Sequence, residues 1–226
     1  MSATYGALHK LWRDGAAELW HAYTHHAFVE GLRDGSLPRA AFLHYLKQDY
    51  VFLIHFSRAW ALAVVKSGSL EEMRAAAGTV DALVNTEMRL HIETCAKEGL
   101  SEEELYATQE APANMAYTRY VMDAGLSGDY LDLMAALAPC VLGYGEIGAR
   151  LLADHAPDTP YAEWIATYGG AEYQDLCASV GEIIDAAARA RLGAIETSPR
   201  KDALQTRFTQ ATQLEVGFWD MGLSSA

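Results

Sequence analysis

A proline directly precedes Cys140 inside a long apolar segment, LDLMAALAPCVLGYGEIGARLL. A proline within a helix donates no backbone hydrogen bond and its ring presses on the carbonyl four residues back, so a bend or break is expected just before Cys140. Tyr144 lies one helical turn further on, followed by Glu146, so thiol and phenol fall on one helix face. A nucleophile with polar neighbours has this composition. A buried structural cysteine in a bent core helix has it too.

Acids and aromatic hydroxyls supply the other candidates. In AFLHYLKQDYVFLIHFSRAW, Tyr45, Asp49 and Phe52 share a face, and Leu46, Phe52 and Leu53 surround Asp49 in helical projection. That carboxyl is either solvated or partly buried, and burial would raise its pKa. In ATQLEVGFWDMGL, Glu215 shares a face with Phe218 and Trp219. It is either an exposed helix residue or an acid kept protonated beside two rings and suited to proton donation. Tyr117, Tyr144 and Tyr168 each stand in apolar surroundings, where a core aromatic with a satisfied hydroxyl is the ordinary role. Taken together, the thiol, the two acids, these tyrosines and Phe218 suit a flat, polar aromatic ring, which needs walls to stack on and carboxylates for its nitrogens and amines.

Histidines invite a metal reading. His21, His25 and His26 cluster near the start, and Glu87 with His91 has metal-ligand spacing. A di-iron bundle requires matched Glu-x-x-His pairs from several helices, and the sequence offers no second pair, so metal catalysis is not expected. The chain also lacks a glycine-rich phosphate loop and a serine nucleophile elbow.

Helices must position these residues, because nearly every segment has helical periodicity and none alternates as a strand would. The pattern predicts helices over about 5–31, 39–67, 71–98, a short one after Ser101, 114–124, a proline-bent helix ending near His155, then 162–168, 171–192 and 198–221. Ser69 is a candidate cap, Ser101 with Glu104 reads as a capping box, and glycines and prolines punctuate the turns. The fold class is therefore all-α, a multi-helix bundle of one domain over 1–226, with functional side chains pointing inward.

The chain carries 17 basic and 30 acidic residues, a formal net charge of -13. Such a surface repels phosphate backbones, so no nucleic-acid partner is expected. Hydrophobic residues make up 51% of the chain, which argues against disorder, while charged residues interrupt the longest apolar runs, so no membrane span is expected. The first twenty residues lack the features of a secretory signal, and a cytoplasmic location follows as an expectation. Three widely spaced cysteines indicate neither a disulfide framework nor a thiolate zinc site.

The chain resembles the TenA family, also called thiaminase II, whose members are similar in fold to haem oxygenase. The resemblance runs through HHAFVEGLRDGSLPRAAFLHYLKQDYVFLIHFSRA, NMAYTRYVMDAGLSGDYLDLMAALAPCVLGYGEIG, YAEWIATYGG and LEVGFWDM, in order over nearly the whole chain. It implies a haem-oxygenase-like bundle, usually a homotetramer, that acts on a small-molecule pyrimidine. The cysteine-containing branch is similar to enzymes that convert 4-amino-5-aminomethyl-2-methylpyrimidine to its hydroxymethyl counterpart in thiamin salvage, and thiamin itself can be a substrate. Carried over by position, the resemblance makes Cys140 the nucleophile, Glu215 the acid acting on the ring, and Asp49 the carboxylate holding the ring amine. Tyr117, Tyr144 and Tyr168 match pocket tyrosines and Phe218 a wall residue; Phe52 stands where the family often has tyrosine, which keeps stacking but removes a hydroxyl. No metal or organic cofactor is implied. The alternative is a pyrimidine-binding or transcription-related protein without turnover.

Overall fold

The computed structural model describes residues 5–224. The described residues form helices with no strand: α1 (Ala7–Gly15), α2 (Ala17–Thr24), α3 (Ala27–Asp34), α4 (Arg39–Lys66), α5 (Leu70–Asp81), α6 (Met88–Lys97), α7 (Glu102–Tyr106), α8 (Pro112–Ser127), α9 (Tyr130–Asp154), α10 (Ala162–Gly169), α11 (Ala171–Leu192) and α12 (Lys201–Leu223). A π-helical segment, Ala82–Glu87, joins α5 to α6, and a 3₁₀ turn, Ile195–Thr197, precedes α12. Backbone contacts group the described residues into two compact units, 5–37 with 134–219 and 38–133 with 220–224.

Local chemistry sets the helix ends. Ser69 accepts from the Glu72 amide at 3.1 Å, and Ser101 and Glu104 form the reciprocal capping box expected of their spacing. Each such cap is worth about 1 kcal/mol. The expected first helix is three helices instead. Ala16 (φ -124°, ψ 28°) and His25 (φ -120°, ψ 27°) leave helical geometry, and the His26 side chain caps α3 by accepting from Phe28 N at 3.2 Å. The third expected helix is likewise interrupted, by the π segment.

Pro139 does not break α9, which runs as one α-helix from Tyr130 to Asp154. A mid-helix proline costs about 3 kcal/mol. Against this, Leu131, Leu133, Met134, Leu137, Leu142, Ile147 and Leu151 of α9 are all at most 1% exposed, and each buried side chain contributes roughly 1.5–3 kcal/mol. Packing therefore outweighs the local defect. The helix is long and apolar enough to cross a bilayer, yet 94% of its apolar window is buried within the chain, as in a core helix.

Candidate active site

In the first unit the candidate residues lie on α9, α10 and α12. Tyr23 packs so closely on α9 that a Cβ at Gly143 would collide with its ring, and its hydroxyl donates to the Pro139 carbonyl at 3.2 Å. Glycine at 143 thus lets a tyrosine brace the turn that carries Cys140. Gly148 similarly admits the backbone of Tyr168 and Gly169 against α9. Gln174 completes the fixation: its Nε2 donates to the carbonyls of Gly145 at 2.9 Å and Tyr168 at 3.0 Å, while its Oε1 accepts from the Tyr5 hydroxyl at 2.6 Å.

These contacts assemble an aromatic cluster around Tyr144. Its ring centroid lies 5.0 Å from Tyr168 in an edge arrangement, 5.4 Å from Trp219 and 5.9 Å from Trp164, and Tyr168 stands 5.0 Å from Tyr173. Glu215 is buried (2% exposed) on α12, one turn before Trp219, and Phe218 meets Trp219 edge-on. The exposed-glutamate alternative is thereby removed. Glu146 instead accepts from Trp20 Nε1 at 3.0 Å and pairs with Arg13 at 3.3 Å, which binds α9 to α1 and α2.

The three thiols differ. Cys95 and Cys177 are fully buried, and burial pushes each thiol up to about 12; the negative charges of Asp49 and Glu98 add to this at Cys95. Cys177 also donates to the Val141 carbonyl at 3.4 Å. Cys140 alone among them keeps solvent exposure. A thiol that must meet a ligand needs that exposure, and the other two have the marks of structural cysteines.

The second unit carries Asp49, Phe52 and Tyr117. Gln48 braces α8 against α4: its Nε2 donates to the Gln109 carbonyl at 2.9 Å, and its Oε1 accepts from Ala111 N at 2.9 Å and Asn114 Nδ2 at 3.2 Å. This sets the Tyr117 ring 5.3 Å from Phe52, which in turn stacks on Phe56 at 5.3 Å. Asp49 is buried, and loss of solvation pushes its carboxyl up to about 7 against a hydrogen bond from Tyr45 that acts the other way. His91 lies beside it, with Nδ1 3.5 Å from Asp49 Oδ2. The sequence picked out Asp49, and Trp219 beside Glu215, but left His91 and Glu87 as a weak metal pair, and it missed Trp164, Tyr173 and Gln174, whose roles depend on partners far away in the chain. His21 and His25 pack ring against ring at a tilt, with centroids 4.1 Å apart, and His25 meets the Thr24 hydroxyl, so with His26 as a cap each of the three has a local structural role.

The family model described as TENA/THI-4/PQQC matches residues 13–225. The chain belongs to this family. An aminopyrimidine aminohydrolase of Halalkalibacterium halodurans is 37% identical over 91% of each chain. A crystal structure from Silicibacter sp. TM1040, described as a TenA family transcription regulator, is 62% identical and superimposes with a TM-score of 0.95 over 97% of this chain and 98% of that one. A Shewanella denitrificans domain with a haem-oxygenase-like fold matches at a TM-score of 0.74 with 15% identity, covering 98% of this chain and 94% of that one. The all-helical TenA chain has the haem-oxygenase-like fold.

Proposed function

We propose that this TenA chain is an aminopyrimidine aminohydrolase of the cysteine-containing branch. The reaction is 4-amino-5-aminomethyl-2-methylpyrimidine plus water giving the 5-hydroxymethyl compound plus ammonia, with thiamin as a further substrate. The relative from Halalkalibacterium halodurans bears the name of this activity at 37% identity. The observation that carries the reading is the singular state of Cys140: partly exposed, one turn from Tyr144 and its aromatic cluster, in a chain whose other thiols are buried and held protonated.

The chemistry follows from covalent catalysis. Direct displacement at the exocyclic methylene is slow, whereas addition of the Cys140 thiolate to the neighbouring ring carbon pushes electrons toward that methylene and expels the aminomethyl nitrogen, an ammonium near neutral pH, as ammonia. Charge that builds on the ring nitrogen beside the attacked carbon is neutralised by a proton from Glu215. Water then adds to the methylene and gives up a proton to solvent, the ring-nitrogen proton returns to Glu215, and the carbon–sulfur bond breaks to release the alcohol and the thiolate. By the resemblance, Asp49 accepts from the 4-amino group, Tyr117 and Phe52 serve as stacking surface, and Tyr144 and Tyr168 serve as pocket hydroxyls. Phe218 serves as a wall, and no metal or organic cofactor takes part.

The family match over residues 13–225 supports one TenA-like domain over 1–226, and the resemblance supports a cytoplasmic homotetramer, which light scattering on the purified protein tests directly. Ammonia release from the aminomethylpyrimidine tests the activity; folded protein that binds the pyrimidine without releasing ammonia contradicts it. A regulatory reading draws on the transcription-regulator description of the 62% identical structure. A net charge of -13 opposes it, and specific DNA binding at physiological salt would revive it.

A further inference from the structure

His91 and Glu87 are buried or half-buried titratable groups that the reaction above does not use. They reach Asp49 because the π segment Ala82–Glu87 ends where α6 begins, and a π turn shifts the phase of everything that follows it. His91 Nε2 lies 2.9 Å from the Leu46 carbonyl. A carbonyl only accepts, so Nε2 carries a proton and the neutral ring presents the Nδ1 lone pair to Asp49 Oδ2, 3.5 Å away. Two acceptors facing one another repel. A proton between them turns repulsion into a hydrogen bond, and a side-chain shift of a few tenths of an ångström closes the gap to bonding distance.

We propose that His91 is a positioning residue that shares one proton with Asp49, so that the Asp49 carboxyl meets a ligand only as a hydrogen-bond acceptor and thereby selects 4-amino over 4-oxo pyrimidines. The identity of the ligand rests on the function proposed above; the shared proton does not.

The surroundings explain why such a partner matters. Burial, set against the hydrogen bond from Tyr45, leaves the Asp49 carboxyl at about 7, so near neutrality an Asp49 without His91 would be part acid and part carboxylate, able to donate to a 4-oxo group as readily as it accepts from a 4-amino group. Tyr45 on α4 donates to it and favours the charged form. Glu87 is itself pushed up to about 7, by burial and then by the charge of Asp49, and its charge in turn favours a protonated His91. Burial acts on His91 in the opposite direction, and the Cys95 thiol, raised to about 12, stays neutral. With the Leu46 carbonyl fixing the tautomer, the proton that Asp49 would otherwise turn toward a ligand lies on its His91 side.

Two readouts test this. In two-bond ¹H–¹⁵N spectra of the resting full-length protein, the His91 ring, identified by its loss in His91→Asn, should show a protonated Nε2 and an Nδ1 shifted away from the value of a bare ring nitrogen. In Asp49→Ala, which leaves no donor opposite it, Nδ1 should return to that value. An Nδ1 signal of a bare nitrogen that Asp49→Ala leaves unmoved, or a proton fixed on Nδ1 with a bare Nε2, overturns the proposal. The second readout is the affinity ratio, at pH 6, for 4-amino-5-hydroxymethyl-2-methylpyrimidine over its 4-oxo analogue. His91→Phe should lower this ratio by about tenfold or more, and His91→Asn, whose amide can donate to the carboxylate, should restore it. An unchanged ratio in folded His91→Phe overturns the selectivity claim. Failure of the parent to bind either pyrimidine contradicts the proposed function, while the spectra still decide the proton.

Discussion

Folded protein treated with iodoacetamide at pH 8, quenched over time and mapped by peptide mass spectrometry, should lose one thiol quickly and two slowly. Burial raises Cys95 and Cys177 from an ordinary 9.0 to about 12, which leaves about one molecule in 10⁴ ionised at pH 8, some 10³-fold fewer than for an unshifted thiol. A more basic thiolate is also more nucleophilic, and this returns roughly 1.5 logarithmic units. About a 30-fold handicap remains before exclusion of the reagent from two fully buried sites is counted. Cys140, which is partly exposed, escapes that full exclusion. Fast labelling should therefore report Cys140 alone, vanish in Cys140→Ala, and become equal at all three sites in denaturant. Labelling of Cys95 or Cys177 in the folded protein at a rate comparable to Cys140 would refute the reasoning.

Gly143→Ala forces a methyl group into the Tyr23 ring and should destabilise the fold by about 1–3 kcal/mol in urea denaturation; an unchanged midpoint counts against the close approach. Asp49→Asn should stabilise the protein increasingly with pH. The folded carboxyl is raised from 3.8 to about 7, so between those values the native state holds a proton that the unfolded chain releases, and parent stability falls as pH rises. Asparagine does not titrate, so the gain in thermal midpoint should be larger at pH 8 than at pH 4, and a gain that shrinks with pH contradicts the assignment. Tyr144→Phe should slow both turnover and Cys140 alkylation through loss of the hydroxyl one turn from the thiol; rates equal to the parent would remove that residue from the thiol network.

Helix existence was legible because apolar periodicity and local caps are local properties. Ser69, Ser101 and Glu104 act as their spacing indicates, and α4 and α11 end within a residue or so of where the pattern stops. The breaks at Ala16 and His25 were not legible, since apolar residues continue in phase across them. The π segment was hidden for a related reason: it adds one residue to a turn without any glycine or proline to announce it. Pro139 misled in the other direction, because the rule for a lone proline ignores the burial of the helix around it. At the site, the candidate acids and rings could be chosen by type and neighbourhood. Partners such as His91 for Asp49, Gln174 for Tyr168 and Tyr23 for Gly143 are separated by long stretches of chain, and single-sequence periodicity carries no record of such pairing.

The most direct test of the account follows ammonia and hydroxymethylpyrimidine from 4-amino-5-aminomethyl-2-methylpyrimidine with the parent and with Cys140→Ala, both shown to be folded. The account predicts turnover by the parent and loss of at least about 10²-fold in the variant, the scale on which a covalent nucleophile contributes. Equal turnover by the two proteins would contradict it.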